Sequence, residues 1–253
     1  MIVEYEARGR VAIITLNRPE ARNAISSELA AALEAAVDRL EGDDDVWVGI
    51  LAANGSVFSA GADLKAVASG DANLGTTRGG FGGFVTLERT KPMIAAVDGF
   101  AVAGGCELAL ACDLIVASTK GAFGLPEVKR SLVAMAGGTV RLPKRLPRNI
   151  AMEMALTGDP ISAERAHALG LVNVLCEPGE VVDEALELAD RINANAPLAV
   201  RATRAAVLGG AEVDDEQGIR LAIDAFRPIA GSEDFKEGPR AFVEQRDPDW
   251  QAR

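Results

Sequence analysis

Histidine is almost missing from this chain: His167 is the only one among 253 residues, and three cysteines, Cys106, Cys112 and Cys176, are its only soft companions. No two cysteines have CxxC spacing, so neither a structural zinc site nor a disulfide framework is expected. His167 lies in "SAERAHALG", a predicted helix with no second ligand beside it, and reads as a packing or surface residue. Long hydrophobic runs are also lacking. Every apolar stretch is interrupted before it could span a bilayer, and "MIVEYEARGR" has neither the basic start nor the apolar centre of a signal peptide. A cytoplasmic protein that does not enter the membrane is expected, in which the "NGS" at 54–56 would never be glycosylated. Nucleotide and serine-hydrolase signatures are missing as well. "GGFGGF" lacks the last glycine of a dinucleotide fingerprint and follows no predicted strand, and neither GxxxxGK[ST] nor GxSxG occurs. Positive charge is scarce: 26 Lys and Arg stand against 37 Asp and Glu, a net charge of −11 that repels nucleic-acid backbones. The acidic run "EGDDD" (41–45) lacks calcium-loop spacing and reads as a solvated helix end.

What is present is a large core. Hydrophobic residues make up 49% of the chain, enough for one main domain with an appendage. "RVAIITL" (10–16), "VWVGIL" (46–51), "MIAAV" (93–97) and "DLIVAS" (113–118) read as strands buried on both faces. Between the first two, Leu29, Leu33, Ala36 and Leu40 recur at helical spacing behind a serine cap and before Gly42. Strand, helix, strand predicts an α/β fold with crossover connections. Beyond about residue 180 only helical periods remain, first Val182, Ala185, Ala189 and Ile192, then Ile219, Ile223 and Phe226. The glycine-rich "SGDANLGTTRGGFGGF" (69–84) is expected to be a mobile loop.

Two glycine turns point toward chemistry. In "AVAGGCELALACD" (101–113) a helix starting near Gly105 would aim unpaired N–H groups and a positive dipole end outward, with Glu107 one turn away. "FSAGADL" (58–64) makes a second such turn after a predicted strand. If the two strands lie side by side, one N–H from each turn can hold a single developing oxyanion. A second carboxylate, Glu127, follows a strand, a glycine and a proline in "AFGLPEV". A glutamate in a first helical turn is equally explained by the dipole, so Glu107 and Glu127 each also read as purely structural.

The stretches "ITLNRPEARNAIS", "FSAGADLK", "KPMIAAVDGFAVAGGCELALACDL", "AFGLPEVKR", "AGGTVRLPK" and "SEDFKEGPRAFVEQR" occur in the order and separation of the crotonase family. Across nearly its whole length the chain resembles that family's enoyl-CoA hydratases. The resemblance implies an α/β spiral of ββα turns over residues 1–190 and a helical region over 191–253 that builds trimers, often paired into hexamers. It implies an oxyanion hole from the N–H groups of Ala62 and Gly104, and acid/base roles for Glu107 and Glu127 in adding water to a 2-trans-enoyl-CoA. It also implies that Ala60, Ala62, Asp63, Leu64 and Lys65 grip coenzyme A, which is part of the substrate, so no separate cofactor is expected. Residues 69–84 fall where the family has a variable acyl-pocket loop.

Departures from the family pattern qualify this expectation. Ser131, Ala134 and Met135 stand where many hydratases carry glycine and proline. Gln245 replaces a lysine that reaches CoA phosphate in many relatives, leaving Arg240 or Arg246 as substitutes. "RLPKRLPRNIAMEMALTG" is similar to the branch that includes carnitinyl-CoA dehydratase. Isomerisation or thioester hydrolysis on the same cradle, and a non-catalytic CoA- or RNA-binding role, are the competing readings. Product analysis separates the former. The acidic balance and the two glutamates oppose the latter.

Overall fold

The computed structural model describes residues 1–69 and 73–253. β1 (Val3–Arg8) and β2 (Val11–Leu16) form an antiparallel hairpin. The Ser26 hydroxyl then accepts the Leu29 N–H at 3.2 Å and starts α1 (Ser27–Gly42). That helix buries Leu29, Leu33, Ala36, Val37 and Leu40 on one face, the stripe that its period of 3.6 dictates.

From there the chain winds in repeated units, each made of a long strand, a short strand and a helical segment. The first unit is β3 (Val48–Ala53), β4 (Val57–Ser59) and α2 (Leu64–Ala68). After a small ribbon, β5 (Gly75–Thr76) and β6 (Gly80–Phe81), comes the second: β7 (Met93–Val97), β8 (Phe100–Val102) and α3 (Gly104–Ala111). The third is β9 (Leu114–Ser118), β10 (Ala122–Gly124), a 3-10 turn at Pro126–Arg130, then α4 (Gly138–Arg145) and α5 (Arg148–Thr157). β11 (Ile161–Ser162), α6 (Ala163–Ala168) and β12 (Val174–Cys176) complete the sheets. The long strands form a sheet in the order β1-β2-β3-β7-β9-β12, parallel from β2 onward. The short ones form a second sheet, β11-β10-β8-β4, in which β4, β8 and β10 are parallel.

Period-two alternation in the large sheet feeds two cores. Leu51, Ala95 and Ile115 face the inner core, which also takes α1 and α3. Ile50, Ile94 and Val116 face the outer one, covered by Val181, Ala185 and Ala189 of α7 (Val181–Asn193). α7 crosses position 190/191. Beyond it, α8 (Pro197–Gly210) and α9 (Asp215–Phe226) pack together, and α10 (Glu233–Glu244) follows. Arg204 of α8 ties this region to the core through Asp113 at 2.9 Å.

The expectation of a mobile loop over 69–84 needs correction. Residues 70–72 lie outside the described residues. From residue 75 the chain is a folded ribbon latched to α1: the Glu34 carboxylate accepts from Thr76 Oγ1, from the Gly79 N–H at 3.0 Å and from Arg78 at 3.0 Å. The ribbon leads to Phe84 and Val85, both buried. Glycine content suggested flexibility, whereas here it permits tight turns stitched by a partly buried carboxylate.

Asn23 joins the first unit to its neighbours. It is fully buried with φ +51°, a conformation that asparagine tolerates better than most residues. Its side chain donates to the Asn54 and Val57 carbonyls at 2.9 and 2.8 Å and accepts the Arg18 N–H at 2.8 Å. Asn23→Ala strands these groups, so chemical denaturation is expected to show a loss of about 1–3 kcal/mol.

Candidate active site

Three parallel short strands end side by side, and each delivers one part of the site. β4 and β8 pair through Val57–Phe100 and Ser59–Ala101, and β8 pairs with β10 through Val102–Gly124. In α/β sheets such carboxyl ends are where ligands sit.

After β4, nearly every N–H of the Ala60–Asp63 turn is committed. Ala60 N–H donates to the Arg22 carbonyl, Gly61 N–H to the Ser59 hydroxyl and Asp63 N–H to the Ile25 carbonyl. The Ala62 N–H has no partner among the described residues, since the Ile25–Ala62 bridge uses the Gly61 carbonyl and the Asp63 N–H.

After β8, the chain turns through Ala103, whose φ of +52° is uncommon for a residue with a Cβ. Gly104 then opens α3, where a helix leaves its N–H without an internal carbonyl. The two turns touch. A Cβ on Gly61 would lie 2.7 Å from the Gly104 nitrogen, and one on Gly104 would lie 2.3 Å from the Phe81 ring. The helix itself lies against β4, because a Cβ on Gly105 would stand 2.1 Å from the Ser59 carbonyl oxygen.

Glu107, in the first turn of α3, is 3% exposed and accepts the Gly138 N–H at 2.9 Å through Oε1. Burial raises its pKa and the nearby Glu127 charge adds to the rise, while the amides of Gly138 and Ala136 and the Arg141 cation pull it back. Glu127 follows Pro126 in the 3-10 turn after β10. Its Oε2 is buried without a hydrogen-bond partner, and burial raises this pKa too. Both carboxyls therefore hold a proton to higher pH than an exposed glutamate.

The other expected residues divide between structural duty and exposure. Asp63 caps α2 by accepting the Lys65 and Ala66 N–H groups at 3.1 and 3.2 Å and pairs with Arg18 at 2.7 Å. The Arg18 guanidinium holds its carboxyl below the usual range. Ala60 and Ala62 are partly buried. Leu64 and Lys65 are exposed, and Lys65 makes no ion pair among the described residues. Arg240 and Arg246, the substitutes considered for the lysine absent at Gln245, both pair with the buried Glu237.

Reading the sequence missed the residues that hold these groups. Arg141 donates to the Ala136 and Val85 carbonyls and so fixes the turn whose Gly138 amide grips Glu107. "AGGTVRLPK" contained that signal, since a glycine pair before a helix leaves amides free, but only contact with Glu107 gives them a role. Phe81 was hidden in the presumed loop.

A carboxyl whose pKa rises on folding costs stability once the pH exceeds its unfolded value, because the folded chain disfavours the charge. Glu127→Gln removes that cost. Its melting temperature at neutral pH is expected to equal or exceed that of the parent, with any gain vanishing below the ordinary carboxylate range. A drop of several degrees in thermal denaturation would mean that Glu127 is structural.

Known proteins resemble this chain over nearly its whole length. The enoyl-CoA hydratase/isomerase family profile matches residues 6–253. Carnitinyl-CoA dehydratase from Salmonella enteritidis PT4 is 42% identical over 254 residues, covering 97% of this chain and 96% of that protein. The crystal structure of an enoyl-CoA hydratase from Mycobacterium tuberculosis H37Rv superposes with a TM-score of 0.96 at 50% identity, covering 100% of this chain and 99% of the other. A carnitinyl-CoA hydratase from Mycobacterium avium superposes with a TM-score of 0.80 at 44% identity, with 100% and 99% covered. Matched over nearly all of its length, with the two glycine turns and both glutamates at the strand ends, the chain belongs to the enoyl-CoA hydratase/isomerase, or crotonase, family.

Proposed function

We propose that the protein is a hydro-lyase that adds water to a 2-trans-enoyl-CoA to give a 3-hydroxyacyl-CoA, or runs the same step in reverse. The supporting observation is the meeting, at the ends of three parallel strands, of two spare N–H groups and two carboxyls, one buried and one half-buried, with raised pKa values. The Ala62 and Gly104 amides receive the thioester oxygen, where negative charge develops as water attacks. Glu107 takes the base role because the Gly138 amide and Arg141 favour its anion. Glu127, half-buried with its Oε2 left without a partner, supplies the acid. A water oxygen bonds to the β-carbon and loses a proton to Glu107, while the α-carbon takes a proton from Glu127. Proton exchange with solvent resets the pair.

Coenzyme A arrives as part of the substrate along Ala60–Lys65, with Lys65 free to meet a phosphate and Asp63 holding the turn in shape. The exposed Ile219, Ile223, Phe226, Phe242 and Val243 of the C-terminal helices support assembly with further copies as a trimer or hexamer.

Loss of the conjugated enoyl-thioester absorbance with crotonyl-CoA and a longer enoyl-CoA tests this reading. Glu107→Gln and Glu127→Gln are each expected to lower turnover by about 100-fold or more. No hydroxyacyl product, or turnover indifferent to both substitutions, overturns it.

The pH profile follows from the directions of the shifts. Activity falls as pH drops and the base is protonated, and falls again as pH rises and the acid ionises. Because both carboxyls are raised, the acidic limb of kcat/KM should lie above the ordinary glutamate range, with apparent values belonging to the pair.

A further inference from the structure

A cleft that adjoins this site at Phe81, Ala136 and Gly137, and is lined by none of Ala62, Gly104, Glu107 or Glu127, is larger than a short acyl group needs. A groove largely open to solvent, it offers about 1890 Å³, compared with about 300–1,000 Å³ for an ordinary small-molecule site. At its inner end stand Phe81, against Gly104, and Ala136 and Gly137, beside the amide that holds Glu107. It continues past Val85 and Val140 toward Val207 and Leu208 of α8.

Its charge opposes that of the molecule. Five basic side chains, Arg89, Arg141, Lys144, Arg145 and Arg204, line it against three acidic ones, Glu88, Asp113 and Glu212, in a chain of net charge −11. Arg204 pairs with Asp113 and Lys144 with Glu212. Arg89, Arg141 and Arg145 have no carboxylate ion partner among the described residues. They donate instead to the main-chain carbonyls of Ala111, Val85 and Cys112, and Arg89 Nε has no partner. Burial pushes all three guanidinium pKa values down, against the opposing pull of Asp113 on Arg89 and Arg145 and of Glu107 on Arg141. Helix α4 sets the length scale: from Gly138, beside Glu107, six residues to Lys144 rise about 9 Å, the reach of a chain of roughly eight carbons.

We propose that this cleft binds the distal part of a medium or long apolar acyl group that ends in a carboxylate, so that the preferred thioester is an ω-carboxyacyl-CoA. The apolar middle of such a group lies along Val85, Val140 and Val207, and its carboxylate meets the guanidiniums and Lys144. A group ending in a quaternary ammonium, as a carnitinyl group does, sets cation against cation and is disfavoured. The inference rests on the hydro-lyase reading only for the seat of the thioester, and its test requires no turnover.

Calorimetric titration with three saturated thioesters decides it: butyryl-CoA, decanoyl-CoA and the mono-CoA thioester of decanedioic acid. The decanedioyl compound is expected to bind about tenfold or more tighter than decanoyl-CoA at low salt. The margin over decanoyl-CoA, taken within each variant, should shrink as salt rises and in Lys144→Glu. Equal or weaker binding of the decanedioyl compound overturns the proposal even if crotonyl-CoA is hydrated. So does a preference that neither salt nor Lys144→Glu reduces. Failure to bind any of the three thioesters overturns the CoA-thioester reading itself.

Discussion

Contact between two main-chain turns is the constraint on which the rest of this molecule depends. The turn after β4 and the start of α3 touch at atoms where a side chain would have to stand: Gly61 against the Gly104 nitrogen, Gly104 against Phe81 and Gly105 against the Ser59 carbonyl. Lacking Cβ atoms, these residues let helix and strand approach to backbone distance. Two amides that are 42 positions apart in the chain can then face the same volume. The parallel pairing of β4 with β8 sets their relative height, and that pairing exists because each winding of the chain returns a short strand to the same sheet. The repeated unit is therefore more than a way of building a core. It lines up strand ends, and strand ends carry the chemistry.

Helix α3 carries the opposed ends of one electrostatic arrangement. All eight of its residues are buried, so its terminal groups cannot rely on water. At the N-terminus the free amides and the positive end of the dipole lie at the strand ends, with Glu107 in the same first turn. At the other end Arg89 donates to the Ala111 carbonyl at 2.6 Å, Arg145 donates to Cys112, and Asp113 accepts the Met93 N–H at 2.8 Å. Guanidiniums at a helix C-terminus complement its partial negative charge. The same three-dimensional need that satisfies the helix end also gathers cations along the cleft, in a protein that is acidic elsewhere. Structural capping and local potential thus share a cause.

The sequence made long-period features legible and contact-dependent ones obscure. The four buried strands, the capped helix of 27–42 and the helical tail follow from periodicity, because burial on one or two faces leaves a repeating mark in the chain. The short strands of the second sheet have two or three residues each and leave none. Glu107 and Glu127 could be singled out as carboxylates behind glycine turns, yet spacing alone could not say that the turns meet, and the resemblance to known motifs supplied the roles. Gly138, Arg141 and Phe81 escaped because each acquires its function from a partner distant in sequence. The ribbon at 75–81 was misread since glycine density marks both disorder and tight turns. Only Glu34, on another element, distinguishes the two by satisfying the ribbon's donors.

Local rules fail most visibly where the chemistry is proposed. Ala103 adopts a positive φ, Glu107 places a carboxyl inside an apolar helix, and Glu127 keeps a buried oxygen without a donor. Each is unfavourable alone, the strained backbone by about 1–3 kcal/mol, and none improves packing. Such features persist only where surrounding structure over-determines them. Here that structure is a core on both faces of a parallel sheet and a helix fixed at both ends. A carboxyl oxygen that finds no partner in the folded chain, such as Oε2 of Glu127, keeps its hydrogen-bonding capacity for something that arrives later. The same holds for the amides of Ala62 and Gly104. What the fold leaves unsatisfied at the ends of β4, β8 and β10 would, on the function proposed above, complement a polarised thioester with a water beside it, and it is this shared deficit, more than any one residue, that singles out these strand ends as a candidate site.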